Sequence, residues 1–302
     1  MVETQTRLDQ ALQENQHRTS DPVKTLAKSG YIVGDVIGQG TFATVKTAYW
    51  SKLKAKVAIK ILSKTSASAH VAQKHVPREL EVIRTLRHPN IIHFYEIIET
   101  NMRYYIVMQY GENGTLLELM RTNRTLAEPR VRRYYGQIIG AIQYMHSCGF
   151  VHRDIKLENV VLDAKDQVKL IDFGFACRVR DEGTTLSSLI EPYLSTTFCG
   201  SHAYASPEIL QMKPYDPIPA DIWASTVIIY ALLFGRLPFT NSKNTKLLQQ
   251  IIAKGVQFPS TITVTDEVKA LMKQIFVPVR QRVTTAYILC SQWFLMELTE
   301  TK

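Results

Sequence analysis

The sequence holds little that would tie it to a membrane, a metal or an oxidising compartment. Its four cysteines, Cys148, Cys177, Cys199 and Cys290, form no CxxC pair and no metal-ligand spacing. Four reduced thiols are therefore expected. No apolar run approaches the roughly 18 residues that span a bilayer. The opening MVETQTRLDQ lacks the basic-then-apolar order of a signal peptide, position 2 is not the glycine of a myristoylation site, and the closing ETK is no prenylation box. Internal repeats and low-complexity tracts are also missing. The expectation is a soluble cytoplasmic protein, with the nucleus left open. Lys and Arg outnumber Asp and Glu by 36 to 27, for a formal charge of +9. These basic residues are dispersed, without the dense run and aromatic interleaving of a nucleic-acid surface. Neither a nucleic acid nor a membrane is expected as partner, and the charge reads as a surface attracting anionic ligands.

What is present is an ordinary globular composition, 45% apolar and 21% charged over 302 residues. Residues 1 to about 30 are polar and read as a tail or a loosely docked helix. From Tyr31 the chain turns to short strand-like runs, YIVGDVIG, TVKTAYW, KVAIKIL, IIHFYEII and RYYIVMQY, with one helical segment from about Val76 to Leu86. These predict a small, mostly antiparallel sheet with a helix packed against it. After Gly111 the pattern is helical. Thr125-Leu126-Ala127-Glu128 reads as a capping box. Val131, Tyr135, Ile138, Ile142 and Met145 follow on one helix face, with Gly149 as the stop. Ile222–Phe234 is apolar all round, which predicts a helix buried in the middle of a lobe. Val268, Leu271, Met272, Ile275 and Phe276 repeat the helical spacing near the end. The fold class is α+β: a β-rich lobe over 31–110, a helical lobe over 111–294 and a short tail over 295–302.

Chemistry first shows at Ile37-Gly38-Gln39-Gly40-Thr41-Phe42-Ala43-Thr44-Val45, a glycine turn between two strands. Glycines at 38 and 40 let backbone N–H groups approach phosphate oxygens that side chains would otherwise block. Fifteen residues after Val45, the strand Val57-Ala58-Ile59-Lys60 supplies a lysine, and Ile61 and Leu62 continue the apolar run. A lysine inside an apolar strand needs an anionic partner, and Glu79 in Arg78-Glu79-Leu80 can supply one. The strongest signal is His152-Arg153-Asp154-Ile155-Lys156-Leu157-Glu158-Asn159 followed by Asp172-Phe173-Gly174. Asn159 and Asp172 stand five and eighteen residues after Asp154, separated by two short strands and a turn at Ala164-Lys165-Asp166. Phosphoryl transfer to an alcohol needs a group that takes the hydroxyl proton and oxygen ligands for a metal that neutralises the triphosphate. Asp154 suits the first task, and Asn159 and Asp172 suit the second as ligands for Mg2+. Lys156 can place positive charge on the transferring group.

These motifs resemble the eukaryotic serine/threonine protein kinases, over about Tyr31 to Phe294. The resemblance implies the bilobal protein kinase fold, ATP and Mg2+ as cofactors, and protein substrates. It further implies that the glycine loop, Ala58, Lys60, Met108, Gln109, Gly111 and Val161 contact the nucleotide, with Met108 to Gly111 as the hinge. Thr197-Phe198-Cys199-Gly200-Ser201 through Ser206-Pro207-Glu208 resembles the end of an activation segment, in which Ser201 holds Asp154 and Glu208 pairs with Arg282. GQGTFATVK, Pro77-Arg78-Glu79, FCGSHAYASPEIL and YDPIPADIW are similar to the testis-specific serine kinases of the calcium/calmodulin-dependent group, which implies a role in male germ-cell development. An upstream activating kinase, a chaperone and a monomeric state belong to the same implication.

Four positions depart from the family pattern. Ala43 replaces the third loop glycine, which is tolerable unless φ is positive there. Ser206 stands for an alanine, Thr226 for a glycine in the buried helix, and Thr115 for a carboxylate, which leaves Glu158 to favour a basic residue three positions before the phosphoacceptor. Arg153 beside the base is a positive charge that a phosphate on the activation segment could neutralise. Thr197 is the expected site, with Thr196 and Ser195 as fallbacks; 22 residues rich in Ser and Thr lie between Gly174 and Thr197. The competing reading is a catalytically silent scaffold with the same fold. The intact Lys60, Glu79, Asp154, Asn159 and Asp172 weigh against it.

Overall fold

The computed structural model describes residues 22–40, 43–64, 69–179, 193–239 and 245–296. Thr41, Phe42, most of the N-terminal tail and residues 180–192 of the activation segment lie outside these. The described chain divides into two compact units, one running to Val76 and resuming over His93–Tyr110, the other made of Pro77–Ile92 and the chain from Gly111 on.

The first unit begins with helix α1 (Pro22–Lys28), in the stretch expected to be a tail or a loosely docked helix. Its Leu26 is wholly buried. Strands β1 (Tyr31–Gln39), β2 (Ala43–Trp50) and β3 (Ala55–Ser63) follow. Helix α2 (Ala69–Thr85) comes next, then β4 (Phe94–Glu99) and β5 (Arg103–Gln109). The five strands form one antiparallel sheet in the order β1-β2-β3-β5-β4. Alternation decides its faces. Tyr31, Ala48, Trp50, Val57, Ile59, Tyr105 and Val107 join Leu26 in a core on one side. Two expectations are corrected here. Helix α2 starts at Ala69, earlier than the expected Val76, and carries Pro77 inside it. The run expected as a strand from Ile91 is cut, because Ile91 and Ile92 are buried and bond instead to Leu170 of the second unit's own hairpin.

The second unit contains α3 (Leu116–Asn123), α4 (Glu128–Ser147), β6 (Phe150–Val151), a 3-10 turn at Leu157–Asn159, and the hairpin β7 (Val160–Leu162) with β8 (Val168–Leu170). Then come β9 (Cys177–Arg178), α5 (Pro207–Leu210), α6 (Pro217–Phe234), α7 (Thr245–Ala253), α8 (Asp266–Ile275), α9 (Thr285–Leu289) and α10 (Gln292–Leu295). The expected face of α4 is fully buried, as are Val268, Leu271, Met272 and Ile275 on α8. Helix α6 is buried along nearly its whole length and ends at Gly235 in the left-handed region, φ 67°. At 18 residues it does reach bilayer-spanning length, contrary to the sequence expectation, but 89% of it lies inside the protein.

The capping box expected at Thr125 does not form. The N-cap of α4 is Ala127, with Pro129 in the first turn, where a missing N–H costs nothing. Glu128 is thus the first helical residue and its carboxylate works at long range. Oε2 accepts from Thr265 N at 2.8 Å and Oε1 from Trp293 Nε1 at 2.7 Å, which ties α4 to α8 and α10. A capping box does form one helix earlier, at Thr115 and Glu118 on α3. That occupies the Thr115 side chain, the position where relatives carry a carboxylate.

Candidate active site

In the first unit, pairing brings the expected nucleotide contacts onto one face. Gly38 opposes Val45, Val45 opposes Lys60, and Ala58, two residues before Lys60, opposes Met108. Directly opposed residues share a face, so this side carries all five and is the reverse of the core around Leu26. Ile37 is 48% exposed, and Gln39 and Gly40 close the strand, with Gly40 N donating to Ala43 O at 2.9 Å. Thr44 pairs with Gln39, and Gln109 takes a bond from its N–H to His93 O at 2.8 Å. Ala43 is not among the residues with positive φ, so its methyl group is accommodated without backbone strain.

In the second unit the geometry centres on Asp154, which is 4% exposed. Lys156 Nζ donates to its Oδ2 at 2.6 Å. Asn159 Nδ2 donates to the Asp154 carbonyl at 2.8 Å and to Oδ2 at 2.9 Å. Ser201 reaches Oδ1 from the activation segment, through N at 3.2 Å and Oγ at 3.4 Å. The carboxylate is thus held on both oxygens by three residues. Gly200 makes the approach of Ser201 possible: its φ is 94°, and a Cβ there would stand 2.6 Å from Arg153 O.

The loop carrying Asp154 is strained and fixed from below. Arg153 and Asp172 both have left-handed backbones, φ 64° and 62°, at a cost on the order of 1–3 kcal/mol each. Asp221, fully buried on α6, takes the N–H of His152 at 2.9 Å and of Arg153 at 2.8 Å, and its Oδ2 also bonds His146 Nε2 at 3.0 Å. Burial works to raise the Asp221 pKa, but the His146 hydrogen bond, the electrostatics of the His146 and His152 rings, and the His152 N–H outweigh it, so the pKa lies below the ordinary aspartate value. Asp154 N donates to His152 Nδ1 at 3.3 Å, which puts the imidazole proton on Nε2, 3.1 Å from Ile171 O. Sequence reading named no role for Asp221. The signal was there, since a lone carboxylate in an otherwise apolar helix must find buried donors.

Asn159 O accepts from Ile171 N at 3.0 Å, so the β7–β8 hairpin returns residue 171 to the side of 159. Glu79 is 2% exposed on α2. Its neighbourhood with Asp172 is marked by Gly174, where a Cβ would stand 3.5 Å from Asp172 Oδ1 and 4.0 Å from Glu79 Oε2. Gly111 lies against Val161, and a Cβ there would come within 2.8 Å of the valine side chain. Glu158 is exposed.

The donor set fits a hard cation and a phosphate ester. With both amide hydrogens of Asn159 turned to Asp154, its Oδ1 is the atom left for a cation, and magnesium takes amide and carboxylate oxygens. Among the fallback phosphorylation sites, Ser195 is buried, 1% exposed, while Thr196 and Thr197 are exposed. Arg153 Nη1 donates to Ser195 Oγ at 3.2 Å and Nε to Phe175 O at 2.7 Å. Ser195 also pairs through its backbone with Tyr215. The end of the segment is pinned by Glu208, which receives Arg282 Nη1 at 2.6 Å and Nη2 at 3.1 Å.

A carboxylate clamped in this way, beside amide and carboxylate oxygens on a hairpin, suits an enzyme that moves a phosphoryl group onto a hydroxyl. The chain belongs to the protein kinase family: the protein kinase domain model matches residues 31–294. It is a serine/threonine kinase. It is 39% identical over 272 residues to human testis-specific serine/threonine-protein kinase 4, covering 88% of this chain and 83% of that one. It is 40% identical over 275 residues to mouse testis-specific serine/threonine-protein kinase 2, covering 90% of this chain and 75% of that one. A similar match, 40% over 276 residues, joins it to mouse testis-specific serine/threonine-protein kinase 1.

Proposed function

We propose that this kinase transfers the γ-phosphoryl of ATP to Ser and Thr hydroxyls with Asp154 as the base that receives the hydroxyl proton. The observation that carries the reading is the grip on the Asp154 carboxylate by Lys156, Asn159 and Ser201. Such a grip fixes the lone pairs where a substrate hydroxyl must arrive, and positioning supplies much of the catalysis in phosphoryl transfer. Lys156 faces the transferring group with its charge. Asn159 and Asp172 hold Mg2+ through oxygen, while Lys60, oriented by Glu79, and the glycine loop with Ala58, Met108, Gln109, Gly111 and Val161 hold the nucleotide. Bound magnesium supplies neutralisation of the triphosphate charge. The test is phosphoryl transfer from ATP to a generic basic protein. Asp154→Asn, which keeps the side-chain shape and removes the base, is expected to lower kcat by at least 100-fold. Equal turnover by both proteins would overturn the assignment.

Regulation is part of the same proposal. Arg153 touches Ser195 and lies in the segment's reach, and exposed Thr197 is open to an upstream kinase while buried Ser195 is not. A phosphate on Thr197 draws the Arg153 guanidinium and orders the segment around Ser201. Thr197→Ala with full turnover on a peptide substrate would refute this. We further propose, from the names of its relatives, a role in male germ cells. Protein found evenly across tissues would count against it.

A further inference from the structure

One end of the five-stranded sheet carries an exposed patch that catalysis does not use. Between Pro22 and Lys64 the chain has eight lysines, no arginine and a single carboxylate, Asp35. Lys24, Lys28, Lys52, Lys54 and Lys56 are all exposed. The fold gathers them. Ser51 N donates to Gly30 O at 3.1 Å, which sets the end of α1 beside the turn between β2 and β3. Register then places Ile32 opposite Tyr49 and Tyr49 opposite Lys56. This row shares one face, and Ile32 is 67% exposed and Tyr49 46%. Leu53, 44% exposed, stands at the turn between Lys52 and Lys54, where Lys54 takes φ 51°. Glu96, on β4, accepts a bond from Tyr31 Oη at 2.7 Å, and Tyr31 faces away from Ile32.

Lys56 Nζ lies 4.3 Å over the Tyr110 ring, and none of the five lysines forms an ion pair among the described residues. Apolar side chains standing in water among such cations suit a partner both anionic and oily. Two features choose among such partners. Among the described residues every cation in the patch is lysine, a hydrated point charge, with no arginine to grip one carboxylate or phosphate in bidentate fashion. The apolar groups stand on an open strand row and a turn tip, whereas a recognised peptide is seated in a groove with side-chain pockets. A Lys-Leu-Lys tip matches an anionic bilayer, with the ammonium groups among the headgroups and Leu53 and Ile32 at the acyl boundary. We propose that the β2–β3 turn, together with the end of α1 and the Ile32–Tyr49 row, docks this kinase on anionic phospholipid membranes. The sequence expectation of no membrane partner rested on the lack of a spanning run and of lipid-anchor motifs, neither of which bears on a surface patch that the fold assembles.

The experiment is co-sedimentation of the full chain with vesicles of phosphatidylcholine alone and with vesicles of equal parts phosphatidylcholine and phosphatidylserine. Binding to the second only, weakening as salt rises, is expected. Lys52→Gln with Lys54→Gln removes two charges and is expected to weaken partitioning on the order of 30-fold. Leu53→Ser is expected to weaken it without changing the charge, and both variants keep wild-type phosphorylation of a soluble peptide. Equal binding to both vesicles, no loss in either variant, or tighter binding to polyglutamate or to an oligonucleotide than to the anionic vesicles would overturn the proposal.

Discussion

Replacing Arg282 with alanine tests how the activation segment is anchored. The Arg282 side chain has no exposure and that of Glu208 only 11%. The guanidinium makes two bonds to Glu208 and three to the carbonyls of Pro219, Ile275 and Val277, and it lies 5.0 Å over the Trp223 ring. Arg282→Ala leaves a carboxylate buried without its cation, which costs about 3–5 kcal/mol. Glu208→Ala leaves the guanidinium with its three carbonyl acceptors, so its cost is smaller, about 2 kcal/mol. Urea unfolding followed by tryptophan fluorescence reads the effect locally, because Trp223 sits under Arg282 and Trp293 lies in the same unit. The double variant is expected to cost little more than Arg282→Ala alone, a coupling on the order of 2 kcal/mol. Turnover falls with stability, since Glu208 follows closely on the Ser201 that holds Asp154. An Arg282→Ala variant within about 1 kcal/mol of wild type would refute the reasoning. So would a Glu208→Ala variant less stable than Arg282→Ala.

Other changes follow from single buried groups. Ser206 Oγ is buried without a hydrogen-bond partner among the described residues, so Ser206→Ala is expected to stabilise by about 1 kcal/mol in the same urea assay. Thr226 Oγ1 bonds Tyr135 Oη at 2.9 Å and Ile222 O at 2.9 Å. Thr226→Val keeps the volume but strands the phenol, costing about 1–3 kcal/mol, and Thr226→Gly costs more because it adds a cavity and a helical glycine. The depressed pKa of Asp221 makes its contribution complete above the unfolded aspartate pKa, about 4. That contribution is lost as pH falls through the lower folded value. Asp221→Asn should therefore lower stability at neutral pH and flatten the acid limb of the unfolding curve. Parallel acid limbs in the two proteins would contradict this.

How far sequence reached depends on the range of the interaction involved. The α4 face from Val131 to Met145 was legible because helical period alone decides which residues turn inward, and all five are buried. Lys156 and Asn159 were legible beside Asp154 because a short loop fixes them within five residues, whereas Ser201, 47 residues on, was legible only through the family resemblance. Glu128 was misread for the opposite reason. Its three-residue spacing from Thr125 imitates a local cap, while its partners Thr265 and Trp293 lie 137 and 165 residues away. Ile91 and Ile92 failed similarly, since β-propensity says nothing about which sheet or hairpin will claim a strand end. The substitution of Thr226 for glycine was unexplained until the structure supplied Tyr135 as the partner of its hydroxyl.

Asp221 shows why a catalytic loop of this kind needs a residue that touches no substrate. Arg153 sits in the left-handed region, which a non-glycine residue leaves readily unless something holds it. The two N–H groups of His152 and Arg153 point together at one carboxylate, so the strained conformation is the one in which both donors are satisfied. Relaxing Arg153 to an ordinary φ would turn one buried N–H away from Asp221, at a cost of about 1–3 kcal/mol that matches the strain relieved. The same backbone conformation puts Arg153 O where only a glycine at 200 can pass, and so brings Ser201 to Asp154 Oδ1. A buried carboxylate on α6 thereby sets the position of Ser201 and its segment against Asp154, through two peptide groups and one missing side chain.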